Sequence, residues 1–328
     1  MKICLGIEST AHTFGIGIVT FDGKILANVK DSFTTETGGM IPNEVAKHHE
    51  EIKENVLADA LKVTGIAMKN VSLISYSHGP GLPPCLWVGC RFAQKLACEN
   101  NIPLIGANHA VAHLTIGNLT TRAKDPIYLY VSGVNTQVIA LTGGKYRIFG
   151  ETLDIGLGNA LDKFGRILGL GFPAGPKIEE LAKNGKYIEL PYVVKGMDVS
   201  FSGLVTKATQ LAKKEKPEDL CFSFQETCFA MLAEVAERAM AHTDKKELLL
   251  IGGVAANKRL CEMLAKMCQE RKGTFYAVPM EYSGDQGAMI AWQGILNYQG
   301  GVRVKLEEAS VLPYERVDEV DVVWEHST

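Results

Sequence analysis

One stretch of sequence occurs twice, and this repetition constrains the fold more than any other feature. Residues 3–24 read ICLGIESTAHTFGIGIVTFDGK, and residues 127–145 read IYLYVSGVNTQVIALTGGK. Each run has an apolar strand, a small polar turn, a second apolar strand, and a glycine-containing hairpin that ends in lysine. A repeated unit usually reflects duplication, so we predict two similar lobes with a cleft between them. A chance match between two β-hairpins is the alternative.

The remainder of the chain alternates between short apolar strands and longer helical patterns, which is typical of an α/β protein. We predict strands at 73–77, 102–105 and 247–251, and helices over 44–64, over 86–100 and from Lys258 onward. We expect the N-terminal lobe to cover residues 1–126 and the C-terminal lobe 127–295. Residues 296–328 are expected to pack back on the first lobe.

Composition restricts the possible partners and the compartment. The net charge is −3, whereas a protein that binds nucleic acid alone usually carries a positive surplus. A nucleic-acid substrate would therefore require a basic partner or a local basic patch. The sequence begins with a strand, shows no signal peptide, and has no apolar run of the roughly 20 residues that a membrane helix needs. Eight cysteines without a C-x-x-C pair predict buried thiols in a reducing cytoplasm.

His109 and His113 are the first candidate functional residues. Asn108 precedes them and is a good N-cap, so the pair is predicted to lie four residues apart on one face of a helix. Two imidazoles so placed can bind one metal ion, although the pattern alone is common. The helix follows a strand, where active-site residues of α/β folds gather. Because Ala110, Val111 and Ala112 separate the histidines, the H-E-x-x-H motif of zinc peptidases is absent.

Several glycine-rich or small polar turns are candidates for binding a phosphate. The turns 8–10 and 132–136 occupy matching places in the repeat, and residues 252–257 read GGVAAN between a strand and a helix. Small residues let backbone N–H groups approach an anion, and a helix N-terminus favours it. Ordinary hairpins are the alternative. The GGVAAN segment fits neither a Rossmann nor a P-loop motif.

Two further segments remain ambiguous. Asp285, in GDQG before a helix, is either a metal ligand or a helix N-cap. Asp162, followed by Gly175 and Glu179 across a Gly/Pro-rich turn, could hold a ribose, or could belong to a surface connection between helices.

Eight segments, in order from residue 3 to about residue 293, together resemble one family. They are IESTAHTFGIGI, GPGLPPCL, NHAVAH, YVSGVNTQV, LDIGLGNALDKFGRILGLGFPAGPKIE, MDVSFSGL, GGVAANKRL and GDQGAMIA. The chain resembles the archaeal and eukaryotic branch of the universal tRNA threonylcarbamoyladenosine synthase (TsaD) family, which supplies the catalytic subunit of the KEOPS complex. Eight ordered matches are far more specific than any one of them.

The resemblance implies an ASKHA fold, that is, two actin-like lobes, which suits the repeat. It implies transfer of a threonylcarbamoyl group from threonylcarbamoyl-AMP to the exocyclic amine of the adenine 3′ of the tRNA anticodon. It also implies one divalent metal, iron or zinc, and partners that include a small protein kinase and dimerising subunits. The implied metal ligands are His109, His113, Tyr130 and Asp285. The implied nucleotide-binding residues are Tyr130, Val131, Ser132, Gly133, Val134, Asp162, Gly175, Glu179 and Asn257.

A mixed nitrogen and oxygen ligand set suits iron or zinc, and the ion could polarise the carbamoyl carbonyl. No catalytic residue is assigned beyond the metal ligands, and Glu8 and the substrate phosphate are the two alternatives for a general base. Three positions depart from the family pattern. Val134 replaces a glycine, Gln286 replaces an asparagine, and Trp87 stands where a basic residue is frequent. Because a β-branched residue tolerates positive φ poorly, Val134 raises the question of whether the turn still accepts phosphate.

Two other functions remain open on the residues alone. An ASKHA-type ATPase or small-molecule kinase would use Mg²⁺ and would not need the histidine pair. A nucleotide-binding scaffold of a multi-subunit complex, without a transferase role of its own, would keep its function when the metal ligands are replaced.

Overall fold

The computed structural model describes residues 1–34 and 41–324. The chain forms two compact units, the first from Met1–Leu119 with Asp285–Thr328 and the second from Thr120–Gly284. The expected lobe limits at 126 and 295 lie beyond the observed limits at 119 and 284, and the second limit differs because the helix that follows Asp285 packs on the first sheet. Within the described ranges, no helix is long and apolar enough to cross a membrane.

The first unit is built on a five-stranded sheet. Its strands are β1 (Ile3–Glu8), β2 (Thr13–Thr20), β3 (Ile25–Ser32), β4 (Leu73–Gly79) and β5 (Leu104–Asn108), in the order β3-β2-β1-β4-β5. Its helices are α1 (Pro42–Thr64), α2 (Pro83–Asn100), α3 (His109–Thr120) and, from the end of the chain, α10 (Gly287–Gln299). Every residue of β1 and β2 is buried, which explains their almost continuous apolar sequence.

The second unit repeats this sheet. Its strands are β6 (Pro126–Val131), β7 (Thr136–Thr142), β8 (Lys145–Glu151), β11 (Glu247–Ile251) and β12 (Thr274–Ala277), in the order β12-β11-β6-β7-β8. A small hairpin is formed by β9 (Val194–Lys195) and β10 (Asp198–Val199). The helices are α4 (Leu157–Ile167), α5 (Gly175–Ala182), α6 (Ser202–Leu211), α7 (Pro217–Thr243), α8 (Lys258–Glu270) and α9 (Met280–Ser283).

The two sheets have the same topology. In each, the first three strands form an antiparallel meander, and the first strand also pairs in parallel with a later strand. That strand in turn pairs in parallel with the outermost one. The two similar lobes predicted from the repeat are confirmed.

Close contact between α10 and the first sheet depends on glycine. A Cβ placed on Gly17 of β2 would lie 2.0 Å from the backbone nitrogen of Ala288, and a Cβ on Gly287 would lie 2.1 Å from the nitrogen of Gly17. Both distances are shorter than the 3.0 Å below which real Cβ contacts essentially do not occur. The absence of side chains therefore lets the helix rest directly on the strand and sets the position of the residues that precede it.

Helix α1 carries a buried histidine that should make the stability of the fold depend on pH. His49 is fully buried, its Nε2 lies 2.8 Å from the carbonyl oxygen of Ala11, and its ring packs against Phe14 with the centroids 5.6 Å apart. Burial lowers the pKa of His49 to about 4. The unfolded chain, with an ordinary pKa near 6.5, therefore binds a proton between about pH 6.5 and 4 that the folded chain does not.

We expect the free energy of unfolding to fall as the pH drops through this window, and His49→Gln to reduce that fall by on the order of 2 kcal/mol. Urea unfolding at pH 7 and pH 4.5 measures the effect. His242→Gln, at an exposed position, is the control. Parallel pH profiles for wild type and His49→Gln would contradict the prediction.

Candidate metal centre and nucleotide site

His109 and His113 lie in the first turns of α3, immediately after β5. The predicted N-cap is confirmed, because Asn108 Oδ1 accepts a hydrogen bond of 3.0 Å from the backbone N–H of Val111. The spacing of four residues places the two imidazoles on one helix face, with ring centroids 4.7 Å apart and planes at 85°. Both rings are buried.

Asp285 brings a carboxylate to the same point. Its Oδ1 lies 3.3 Å from Nε2 of His113 and 3.6 Å from Nε2 of His109. One ligand atom from each of these three residues lies within 4.8 Å of the others. The alternative role of Asp285 as helix N-cap belongs instead to Gln286, whose Oε1 accepts from the backbone N–H of Met289 at 3.0 Å. The glutamine that departs from the family pattern therefore caps α10.

Glu8 holds the other side of His109. This fully buried carboxylate, the last residue of β1, places Oε2 at 3.0 Å from Nδ1 of His109. Its Oε1 accepts hydrogen bonds from both the backbone N–H and the hydroxyl of Thr10. Both donors of Thr10 are thus used by Glu8, and the N–H of Ser9 donates to Ser77, so these three donors are not available to a phosphate in this turn. The sequence did not predict this role of Glu8, because Glu8 and His109 meet only when β1 and β5 are brought into one sheet.

The charges of this cluster are tightly linked. Burial alone would lower the pKa of His109, but Glu8 and Asp285 raise it to about 9. Burial lowers the pKa of His113, and the charge of His109 adds to this effect. Burial would raise the pKa of Asp285, yet the two histidines hold it well below its ordinary value. The site therefore carries a buried positive charge between carboxylates, where a metal cation could replace the proton.

The donor set suits a transition metal. When Nδ1–H of His109 donates a hydrogen bond to Glu8, the neutral ring carries its proton on Nδ1. The lone pair of Nε2, on the side of Asp285, is then available to a metal ion. Two imidazole nitrogens and one carboxylate oxygen match the three protein ligands of catalytic zinc sites and of non-haem iron sites. If a metal is bound, Glu8 would be the carboxylate that orients His109 through its other ring nitrogen.

Tyr130, the fourth implied ligand, lies near the end of β6 in the second unit and is almost fully buried. The GGVAAN segment packs against this strand end. Gly252 has a φ of 92°, and a Cβ there would lie 2.4 Å from the carbonyl oxygen of Val131 and 3.2 Å from the Tyr130 ring. Only glycine fits this position. The assignment of Tyr130 as a metal ligand stays a prediction.

The turn after β6 rests on the N-terminus of α4. The backbone N–H of Gly158 donates to the carbonyl of Ser132 at 3.0 Å, and that of Asn159 donates to Gly133 at 3.0 Å. Val134 does not have a positive φ and its side chain is 71% exposed. The valine is therefore compatible with this turn, and its substitution for glycine needs no change in backbone conformation.

The other implied nucleotide residues meet around α5 of the second unit. Asp162 Oδ1 accepts from the backbone N–H of Ala174 at 2.8 Å, just before Gly175 begins the helix. One turn later, Glu179 Oε1 accepts from the backbone N–H of Lys258 at 2.8 Å. Asn257 caps α8 through Leu260 and donates to Gln225 at 3.1 Å. These contacts place the residues at α5 and at the adjoining start of α8, and each bond to the backbone occupies one side-chain oxygen.

The ring of Trp87, the third departure from the family pattern, makes a cation–π contact with a residue of its own helix. The guanidinium of Arg91 lies 5.5 Å from the centre of the Trp87 ring. A basic group is thus present one turn away from the position where related sequences often place it.

Comparison with known proteins identifies the family. The family described as TsaD, tRNA N6-adenosine threonylcarbamoyltransferase, matches residues 24–292. The chain belongs to this family. The TsaD-family assignment agrees with the ordered motifs and with the histidine and aspartate cluster.

Relatives in archaea extend the family match to 98% of the chain. The tRNA N6-adenosine threonylcarbamoyltransferase of Thermococcus kodakarensis is 55% identical, with 98% of this chain and 100% of the relative covered. That of Thermofilum pendens is 51% identical, with 98% and 96% covered. A probable bifunctional tRNA threonylcarbamoyladenosine biosynthesis protein of Methanosarcina mazei is 52% identical over 98% of this chain, which spans 59% of that longer protein.

Solved structures agree with the fold. HypF from T. kodakarensis superposes with a TM-score of 0.65 at 17% identity, covering 91% of this chain and 48% of HypF. The activator of 2-hydroxyisocaproyl-CoA dehydratase from Clostridium difficile, solved with bound ADPNP, gives 0.52 at 13% identity, covering 93% and 98%. This TsaD-family chain has the ASKHA fold.

Proposed function

We propose that this TsaD-family enzyme transfers a threonylcarbamoyl group to tRNA adenosine at a divalent metal ion held by His109, His113 and Asp285. The observation that carries the proposal is the convergence of two imidazole Nε2 atoms on one carboxylate oxygen, at 3.3 and 3.6 Å. Iron and zinc both suit this ligand set. A bound ion would supply a Lewis acid that polarises the carbamoyl carbonyl.

The reaction forms a bond between the exocyclic amine nitrogen of adenine and the carbamoyl carbon. The bond from that carbon to the phosphate oxygen breaks, AMP leaves, and the amine loses a proton. Glu8 is a poor candidate for the base that accepts this proton, because its side chain is fully buried and both oxygens are hydrogen-bonded. Its proposed role is to hold His109 in the tautomer and orientation that binding requires.

We assign threonylcarbamoyl-AMP to the second unit. We place its phosphate at the turn 132–134, whose small residues let a ligand approach the backbone and which lies beside the N-terminus of α4, where negative charge is favoured. Asp162, Gly175, Glu179 and Asn257 supply carboxylates and an amide for ribose and base. A Cβ on Gly175 would contact nothing within 4 Å, so the backbone there is open to a ligand.

We further propose that the chain works in the cytoplasm with partner proteins, namely a small protein kinase and dimerising subunits of a KEOPS-like complex. The net charge of −3 supports this, because tRNA binding draws most of its affinity from positive charge. A relative in M. mazei, named as bifunctional, is considerably longer than this chain.

Metal removal tests the proposal. The purified chain, combined with such partners, tRNA and threonylcarbamoyl-AMP, is expected to form threonylcarbamoyladenosine. Stripping the metal with a chelator should lower the rate at least about 100-fold, because Lewis-acid catalysis contributes several kcal/mol, and Zn²⁺ or Fe²⁺ should restore it. Nucleoside analysis by mass spectrometry gives the readout. Undiminished transfer by metal-free protein would refute the metal-assisted mechanism, and release of phosphate from added ATP, without any transfer from threonylcarbamoyl-AMP, would favour the ATPase alternative.

A further inference from the structure

The C-terminal tail of the first unit is tied to the end of β4. The backbone N–H of Leu312 donates to the carbonyl of His78 at 2.6 Å, and that of Gly81 donates to Pro313 at 3.1 Å. The hydroxyl of Tyr76 donates to the carbonyl of Ser310 at 2.8 Å. These bonds hold the tail segment 310–315 against the end of the sheet where strands β4 and β5 finish and α3 begins.

Within this tail, Glu315 reaches the residue that starts the metal-binding helix. Its Oε2 accepts a 2.8 Å hydrogen bond from Asn108 Nδ2 and lies 2.8 Å from His78 Nε2. Its backbone carbonyl lies 3.3 Å from the same Asn108 nitrogen. The Glu315 side chain is only 22% exposed, so water screens these bonds weakly.

The bonds of Asn108 connect the tail directly to α3. Its Nδ2 donates to Glu315, while its Oδ1 accepts from Val111 and so caps the helix. Because Glu315 offers only acceptors, it determines which way the Asn108 amide faces. His109, the next residue, is the first residue of the helix, and loss of the cap would loosen the turn that carries it.

A glycine in the neighbouring strand β5 makes room for this network. A Cβ on Gly106 of β5 would lie 2.5 Å from Nδ1 of His78. The glycine therefore leaves space for the His78 ring, which contacts the same carboxylate oxygen of Glu315 as Asn108 does. Burial alone would raise the pKa of Glu315, but the hydrogen bonds from His78 and Asn108, together with the charge of His78, lower it, so the carboxylate stays ionised.

We propose that Glu315 and Asn108 are positioning residues through which the C-terminal tail sets the place of His109 and His113. The inference rests on the metal-binding role proposed above. It means that one stretch of chain, from Asp285 to Glu315, supplies both the carboxylate ligand and the support for the two histidine ligands. Metal sites lose affinity when ligands move by about 0.5 Å, so this support should be measurable in the binding constant.

The test is a Zn²⁺ titration of the metal-free, full-length chain by isothermal calorimetry. Asn108→Asp keeps the Oδ1 cap but replaces the donor that faces Glu315 with an acceptor, and Glu315→Ala removes the carboxylate. Each is expected to weaken Zn²⁺ binding about tenfold, as loss of outer-shell partners generally does. The double variant N108D/E315Q, in which the glutamine amide can donate to the new aspartate, should recover most of that affinity. Glu307→Ala, at an exposed position of the same tail, is the matched control and should bind as wild type.

Rescue by the double variant distinguishes positioning from general support of the fold, which a second substitution would not restore. If Asn108→Asp and Glu315→Ala bind Zn²⁺ as tightly as wild type while His113→Ala does not, the tail has no positioning role and the inference is wrong. If His113→Ala also binds as wild type, the metal site itself is misassigned, and the proposed function loses its metal together with this inference.

Discussion

Replacing His113 with alanine is expected to lower the affinity for Zn²⁺ at least about 100-fold and to reduce threonylcarbamoyl transfer to a similar extent. Outer-shell partners already contribute about 10–100-fold, and His113 is proposed as a direct ligand. Its Nε2 lies 3.3 Å from Asp285 Oδ1, closer than that of His109. Calorimetric titration and nucleoside analysis measure the two effects. His242→Ala, at an exposed position of the second unit, should change neither.

His109→Ala should abolish binding as well, but with an added cost to stability. The substitution removes the partner of Glu8 Oε2, which is fully buried, and an uncompensated buried charge costs about 3–5 kcal/mol. The double variant E8Q/H109A should recover much of that stability while still failing to bind Zn²⁺. Tight metal binding by either single histidine variant would eliminate the proposed ligand set.

The second large effect concerns packing rather than charge. Gly17→Ala would place a methyl group 2.0 Å from the nitrogen and 2.3 Å from the Cα of Ala288. Neither β2, an interior strand of the sheet, nor helix α10 can relieve this clash by moving a side chain, because the contact is with backbone. Overpacking of this kind typically costs about 1–3 kcal/mol and occasionally more, and we expect at least about 3 kcal/mol.

The same substitution should weaken metal binding, since Asp285 lies just two residues before α10 begins. Urea unfolding and Zn²⁺ titration measure both consequences. Gly203→Ala is the matched control, because a Cβ at Gly203, in α6, meets nothing within 4 Å and alanine favours helix. Equal stability of the two alanine variants would show that α10 does not rest on β2 as described.

The features that depend on local sequence pattern were predicted from the sequence. The two hairpins, the strand Glu247–Ile251, the helix N-cap at Asn108 and the pairing of His109 with His113 follow from spacings of a few residues, and the structure agrees. The placement of Asp285 beside the histidines came only from resemblance to a family. Its distance of 172 residues from His113 along the chain carries no local signal.

The contacts that could not be predicted join elements that lie far apart in the sequence. Glu8 is separated from His109 by 101 residues and Glu315 from Asn108 by 207. The sequence also assigned most of α10 to the second lobe. Its pattern identifies a helix, but only the matching glycines Gly6, Gly17 and Gly287 determine which sheet it covers. A glycine in a strand has several meanings, so this match is not evident before the fold is known.

The two copies of the repeated hairpin differ by one negative charge, and this difference has a large consequence. When ICLGIEST is set against IYLYVSGV, Glu8 corresponds to Ser132, so the first residue of the turn is charged in one copy and neutral in the other. In the first copy the buried carboxylate accepts hydrogen bonds from both donors of Thr10 and pairs with His109. In the second copy the residue is neutral, and the turn lies at the N-terminus of α4, which favours negative charge. Under the proposed function, this one difference gives opposite tasks to two halves of the same topology, because the first would hold the cation and the second the phosphate.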